Sequence, residues 1–165
     1  MANPLYDNLI SKNSKKNTCF LEQSGKAAVS FSQFSKRTNQ VANLLVKCGL
    51  QPGDRVAVQA EKTIEIIILY AATIQAGGVF LSLNTDYKKD EVTYFLKDAE
   101  PRIFVCDPYK VEDLKNVASQ VGSKILTADA HGKGSLLSEA NLMSKIFNTV
   151  DRKPDDLAAL LYTSG

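Results

Sequence analysis

The stretch IEIIILYAATIQAGGVFLSL, Ile64 to Leu83, leaves a folding chain few options. It is too apolar to lie on a surface, but Glu65 and Gln75 interrupt it and Gly77-Gly78 divides it. Neither half reaches the roughly 20 uninterrupted apolar residues that a membrane span requires. What remains is a helix buried on most sides (about Ile64 to Ala76), a glycine turn, and a short buried strand (Val79 to Leu83). RVAVQA, Arg55 to Ala60, precedes it as another strand, after the turn Gln51-Pro52-Gly53-Asp54. Strand, buried helix and strand in succession make the repeating unit of a parallel sheet with helical crossovers.

The rest of the chain extends the alternation. KAAVSF, Lys26 to Phe31, reads as a strand, and Ser30 with Gln33 forms a capping box for the next helix. That helix carries Phe34, Val41, Leu44, Leu45 and Cys48 at helical spacing and stops at Gly49. Asp86 or Asp90 is expected to cap a helix whose apolar face is Val92, Phe95, Leu96 and Ala99, ending before Pro101. RIFVCD (Arg102 to Asp107) is a strand running into Asp107-Pro108, an N-cap and first-turn proline for the helix of Val111, Leu114, Ala118 and Val121, closed by Gly122. KILTAD (Lys124 to Asp129) is a strand, Ala130 to Gly134 a loop, and Leu136, Leu137, Ala140, Met143 and Phe147 mark a last helix. Asp151 to Asp156 is a polar connection, Leu157 to Tyr162 the final strand, and residues 11–18 a polar surface loop. The expected fold is therefore α/β: a layered, mostly parallel sheet with helical crossovers.

Composition removes several function classes. With 20 basic and 18 acidic residues the formal charge is +2, and no basic cluster exceeds the pairs Lys15-Lys16 and Lys88-Lys89. A nucleic-acid footprint needs a concentrated basic face, so no nucleic-acid partner is expected. Asp7, Asn8 and Lys12 break any N-terminal apolar segment, and the first 36 residues contain no Arg, so neither a signal nor a transit peptide is read here. Cys19, Cys48 and Cys106 are odd in number and widely spaced, with no CxxC. They read as buried or semi-buried free thiols of a reducing cytoplasm, not as metal ligands.

Ligands of parallel α/β sheets bind beyond the carboxyl ends of the strands. Thr163, Ser164 and Gly165 follow the last strand at such an end. Small residues, hydroxyls and free backbone N–H groups after a strand suit a phosphate. TSG alone nevertheless ends many strands and specifies no ligand. The other candidates each have a plainer reading. His131, the sole histidine, reads as a solvated loop residue; HGKGS lacks the spacing of a Walker loop, and no GxGxxG follows a strand. Glu61-Lys62 either faces a ligand or is a solvated pair capping the next helix. Asp155-Asp156 either binds metal or caps the turn before the last strand. No nucleophile with a paired base is evident.

The order of motifs is more specific. VSFSQF at 29–34, VANLLVKCGLQPGDRVAV at 41–58, AATIQAGGVFLSLN at 71–84 and DDLAALLYTSG at 155–165 together resemble the opening blocks of the adenylate-forming superfamily, across nearly the whole chain. GDRVAVQAEKTIE, YFLKDAEPRIFVCDP and GKGSL are similar to its malonyl-CoA synthetase branch; Ser82 departs from the proline that many members carry there. The resemblance implies that residues 1–165 are the N-terminal portion of a large domain, the first third of a longer enzyme. It implies an ATP-dependent acid–CoA ligase using ATP, Mg²⁺ and CoA, with malonate as the acid. Thr163, Ser164 and Gly165 would open the ATP phosphate loop. The carboxylate pocket, the metal-binding acid and the catalytic lysine would lie downstream, so no catalytic residue is carried over and the isolated stretch is expected to be inactive. Acetate, a fatty acid or another dicarboxylate stands as an alternative acid, and a free-standing α/β binding module as an alternative class.

Overall fold

The structure, a computed structural model, describes residues 3–162. The chain begins with helix α1 (Pro4–Leu9), set by Asn3, whose Oδ1 accepts from the Tyr6 N–H at 3.2 Å, and by a proline in the first turn. The polar segment after it contains a 3₁₀ turn, Ser11–Asn13. Strands β1 (Cys19–Leu21) and β2 (Val29–Ser30) then form a small antiparallel ladder. The strand expected over Lys26 to Phe31 is thus only two residues long. The Ser30–Gln33 capping box explains the truncation. Ser30 Oγ accepts from the Gln33 N–H at 3.2 Å and Gln33 Oε1 from the Ser30 N–H at 2.9 Å, committing the chain to helix from Phe31 onward.

That helix, α2 (Phe31–Lys47), leads into a five-stranded sheet. Its elements are β3 (Arg55–Gln59), α3 (Ile64–Gln75), β4 (Val79–Ser82), α4 (Lys89–Ala99), β5 (Ile103–Cys106), α5 (Val111–Gln120), β6 (Lys124–Thr127), α6 (Ser135–Ala140) and β7 (Ala159–Leu161). All five strands run parallel in the order β6-β5-β3-β4-β7. Successive residues of a strand point to opposite faces. Val56, Val58, Ile103 and Val105 accordingly pack with α2, α3 and α6, whereas Ala57, Phe104 and Cys106 pack with α4 and α5. Both faces are covered, and for that reason the strands read as unbroken apolar runs. The expected α/β architecture is the observed one. Among the described residues no helix is long and apolar enough to cross a membrane.

Four local expectations need correction. Neither Asp86 nor Asp90 caps α4: Lys88 occupies that position, and the Glu91 carboxylate accepts from its N–H at 2.9 Å. Helix α3 is capped by Thr63, leaving Glu61 and Lys62 simply exposed. The last helix is six residues long and does not reach Phe147. Met143 and Phe147 still pack against the core, but from an irregular strap. The strap's carbonyls are satisfied from α2. Asn39 donates to Lys145 O (2.8 Å), Gln40 to Met143 O (3.2 Å), and Asn43 to Ser144 O (3.0 Å) and Ile146 O (2.9 Å), so the segment needs no helical bonds of its own. Finally, Cys48 is half-buried and Cys106 buried as expected, but Cys19 is exposed; all three are free thiols.

Candidate functional site at the carboxyl edge of the sheet

Parallel strands deliver their carboxyl ends to one edge, here Gln59, Ser82, Cys106, Thr127 and Leu161. The chain leaves β3 toward β4 on one side and leaves β5 toward β6 on the other. The crevice of such a sheet opens between strands whose connections diverge in this way, here β3 and β5.

A buried amide fastens this edge. Gln59, 1% exposed at the end of β3, directs its Nε2 at Asn84 O (3.0 Å), Tyr87 O (2.8 Å) and Thr85 O (3.4 Å). From the 3₁₀ turn just before α5 (Pro108–Lys110), Lys110 Nζ also donates to Thr85 O at 2.9 Å. The loop after β4 is thereby tied to the end of β3 and to the turn that follows β5. The sequence signal for it is a polar residue closing the apolar run RVAVQ, a pattern that by itself marks only the end of a strand.

An ion-pair cluster fastens the opposite corner. Glu65, in the first turn of α3, accepts from Arg37 of α2 at 2.8 Å and from Lys26 at 3.2 Å. Lys26 also donates to His131 O at 2.9 Å in the loop after β6. The Glu65 side chain is 11% exposed. Burial alone would raise its pKa, but the hydrogen bonds from Arg37 and Lys26 outweigh it and hold the carboxyl below its ordinary value. A depressed carboxyl pKa contributes stability above the unfolded-state value of about 4.3, and the contribution disappears as pH falls through the folded-state value. Glu65→Gln is therefore expected to lose ~1–2 kcal/mol at pH 7, with the two proteins converging as pH falls through the lowered folded-state value of Glu65. Urea denaturation across pH 3–7 checks this, and a pH-independent gap would contradict it.

The remaining sequence candidates separate clearly. His131 is an exposed loop residue whose N–H donates to Asp129 Oδ1 at 2.8 Å. Asp156 caps a turn by accepting from the Lys153 N–H at 2.8 Å and pairs with Arg152 at 3.2 Å, while Asp155 is exposed. Among the described residues no group of His, Cys, Asp and Glu is placed to hold a metal ion. Ser82, at the end of β4, pairs in register with Val58 and Leu161. Tyr162 follows β7 at the carboxyl edge. Thr163, Ser164 and Gly165, assigned to a phosphate loop from sequence, lie outside the described residues.

Comparison with known proteins places this edge in a wider setting. Residues 10–165 match the family described as AMP-binding enzyme. Among curated proteins, tyrocidine synthase 2 of Brevibacillus parabrevis is 31% identical over 83% of this chain, which covers 4% of that protein. A probable CoA ligase of Humulus lupulus is 28% identical over 86% of the chain, covering 28% of its own length. Among solved structures, apo and ATP-bound MatB from Rhodopseudomonas palustris superpose with a TM-score of 0.96 at 45% identity, over 100% of this chain and 33% of theirs. The chain thus spans about a third of the length of these solved relatives.

Proposed function

Since the chain belongs to the AMP-binding enzyme family, we propose that it forms the N-terminal portion, residues 1–165, of the large domain of an acid–CoA ligase that activates malonate. A malonate carboxylate attacks the α-phosphorus of ATP, giving malonyl adenylate and releasing pyrophosphate. The CoA thiol then attacks the acyl carbon, AMP departs, and malonyl-CoA is formed. The observation that carries this reading is the likeness to MatB over the whole chain, ATP-bound MatB included. Malonate as the acid rests further on the motif resemblance at Gly53–Glu65 and Tyr94–Pro108.

Within this reading the parallel sheet delivers the chain after β7 to the carboxyl edge. There the backbone N–H groups and hydroxyls of Thr163, Ser164 and Gly165 would cradle the triphosphate. Mg²⁺ would accompany the nucleotide, but the described residues provide no ligand set for it, so its ligands are assigned elsewhere and no step is derived through it. Three free thiols are consistent with work in the reducing cytoplasm.

The test is pyrophosphate release by the product of the full gene, with ATP, Mg²⁺, CoA and malonate, acetate, a medium-chain fatty acid and a second dicarboxylate. Malonate is expected to give the highest kcat/KM. A different leading acid would leave the ligase chemistry in place and overturn the substrate. The 165-residue stretch alone is expected to release none.

A further inference from the structure

Strand β7 is three residues long and, among the described residues, pairs only with β4. So short an edge strand fixes poorly where the following residues begin. Its last neighbour, Tyr162, is held by other means. The Tyr162 ring packs on Phe95 of α4 with centroids 4.3 Å apart, and its hydroxyl donates to Asp98, one turn further along the same helix. Phe95 packs in turn on Tyr87 at 5.0 Å. Tyr87 closes the loop whose carbonyls Gln59 and Lys110 hold. The contacts run without a gap from the buried amide at the end of β3, through the loop after β4 and two aromatic rings, to the residue immediately before Thr163.

Each link has a directional component. The amide bonds fix the loop, ring pairs prefer a defined offset or tilt, and a phenol bonded to a carboxylate is shorter and stronger than a neutral pair. A binding loop works only if its supports hold it to about 0.5 Å. We propose that Gln59, Tyr87, Phe95, Asp98 and Tyr162 form a clamp that positions the start of the phosphate-binding loop, making Tyr162 and Asp98 positioning residues for ATP. This rests on the reading of residues 163–165 as that loop.

The test uses the full-length protein. Tyr162→Phe keeps the ring and removes the bond to Asp98. It is expected to raise the KM for ATP about fivefold while leaving the KM for CoA and the Tm unchanged. Amide exchange in a peptide spanning 163–165 is expected to quicken about tenfold, with the amides of β3 and β5 unaffected. Asp98→Ala should reproduce both effects, and Asp98→Asn, whose amide oxygen still accepts from the phenol, should reverse most of them. Unchanged exchange at 163–165 overturns the clamp. So does an equal rise of both KM values with a fallen Tm, the signature of general loosening. If the wild-type protein turns over no acid with ATP, the proposed function fails on its own. Faster exchange in Tyr162→Phe would still establish the clamp in that case, and unchanged exchange would remove it.

Discussion

Phe104→Ala is expected to lower the free energy of unfolding by about 3–5 kcal/mol. Phe104 has no exposed surface and sits in β5, between β3 and β6. Its ring faces the layer formed by α4 and α5, among Leu96, Leu114 and Val117. Truncation removes a large apolar side chain and leaves a cavity that neighbours on a hydrogen-bonded sheet cannot close. A domain of ordinary stability has only about 5–15 kcal/mol to lose, so the variant should unfold at markedly lower urea with an unchanged slope. A loss under about 1 kcal/mol would mean that this layer is not packed as described.

The second large effect is expected at Gly134, just beyond the carboxyl edge. Its backbone has φ 144° and ψ −175°, a region open essentially to glycine alone. A methyl group there would also collide with the backbone carbonyl of Thr127. That carbonyl cannot swing aside cheaply. Thr127 and Ser135 are bonded reciprocally, Thr127 N–H to Ser135 Oγ and Ser135 N–H to Thr127 Oγ1, both at 2.9 Å. Strain and collision together give about 3 kcal/mol for Gly134→Ala. Gly122→Ala is the control, since its φ is also positive, 70°, but a methyl there meets open space. It should cost about 1 kcal/mol. Equal losses for the two, by the same urea titration, would show that the Thr127 collision contributes nothing.

Much of this molecule is determined locally and was therefore legible. Ser30 with Gln33 and the Gly77-Gly78 break each act within a few residues and do in the structure what their chemistry predicts, whereas Asp107 with Pro108 caps a 3₁₀ turn, Pro108–Lys110, that runs into α5 and does not cap α5 itself. The unbroken apolar runs Val56–Val58 and Ile103–Cys106 signal strands covered on both faces, hence a parallel α/β sheet. Of the candidate site, the sequence supplied its position at the carboxyl edge and the family resemblance. It left Gln59 unmarked, and it offered Glu61 and Lys62 as ligand-facing or as the cap of a helix that Thr63 caps instead.

What the sequence alone determined is the kind and order of elements, because hydrogen bonds within a helix and side-chain alternation along a strand are set by residues close in the chain. Only the tertiary structure decided the rest. The strand order β6-β5-β3-β4-β7 is one example, since a parallel ladder is equally well made with several neighbours. The irregular strap is another. Met143 and Phe147 keep a helical spacing, but Asn39, Gln40 and Asn43 supply donors from about a hundred residues away and remove the need for a helix. Glu65 with Lys26 and Arg37, and Tyr162 with Phe95 and Asp98, belong to the same class. Their partners meet only after the sheet has closed, and nothing in the local pattern of either partner announces the other.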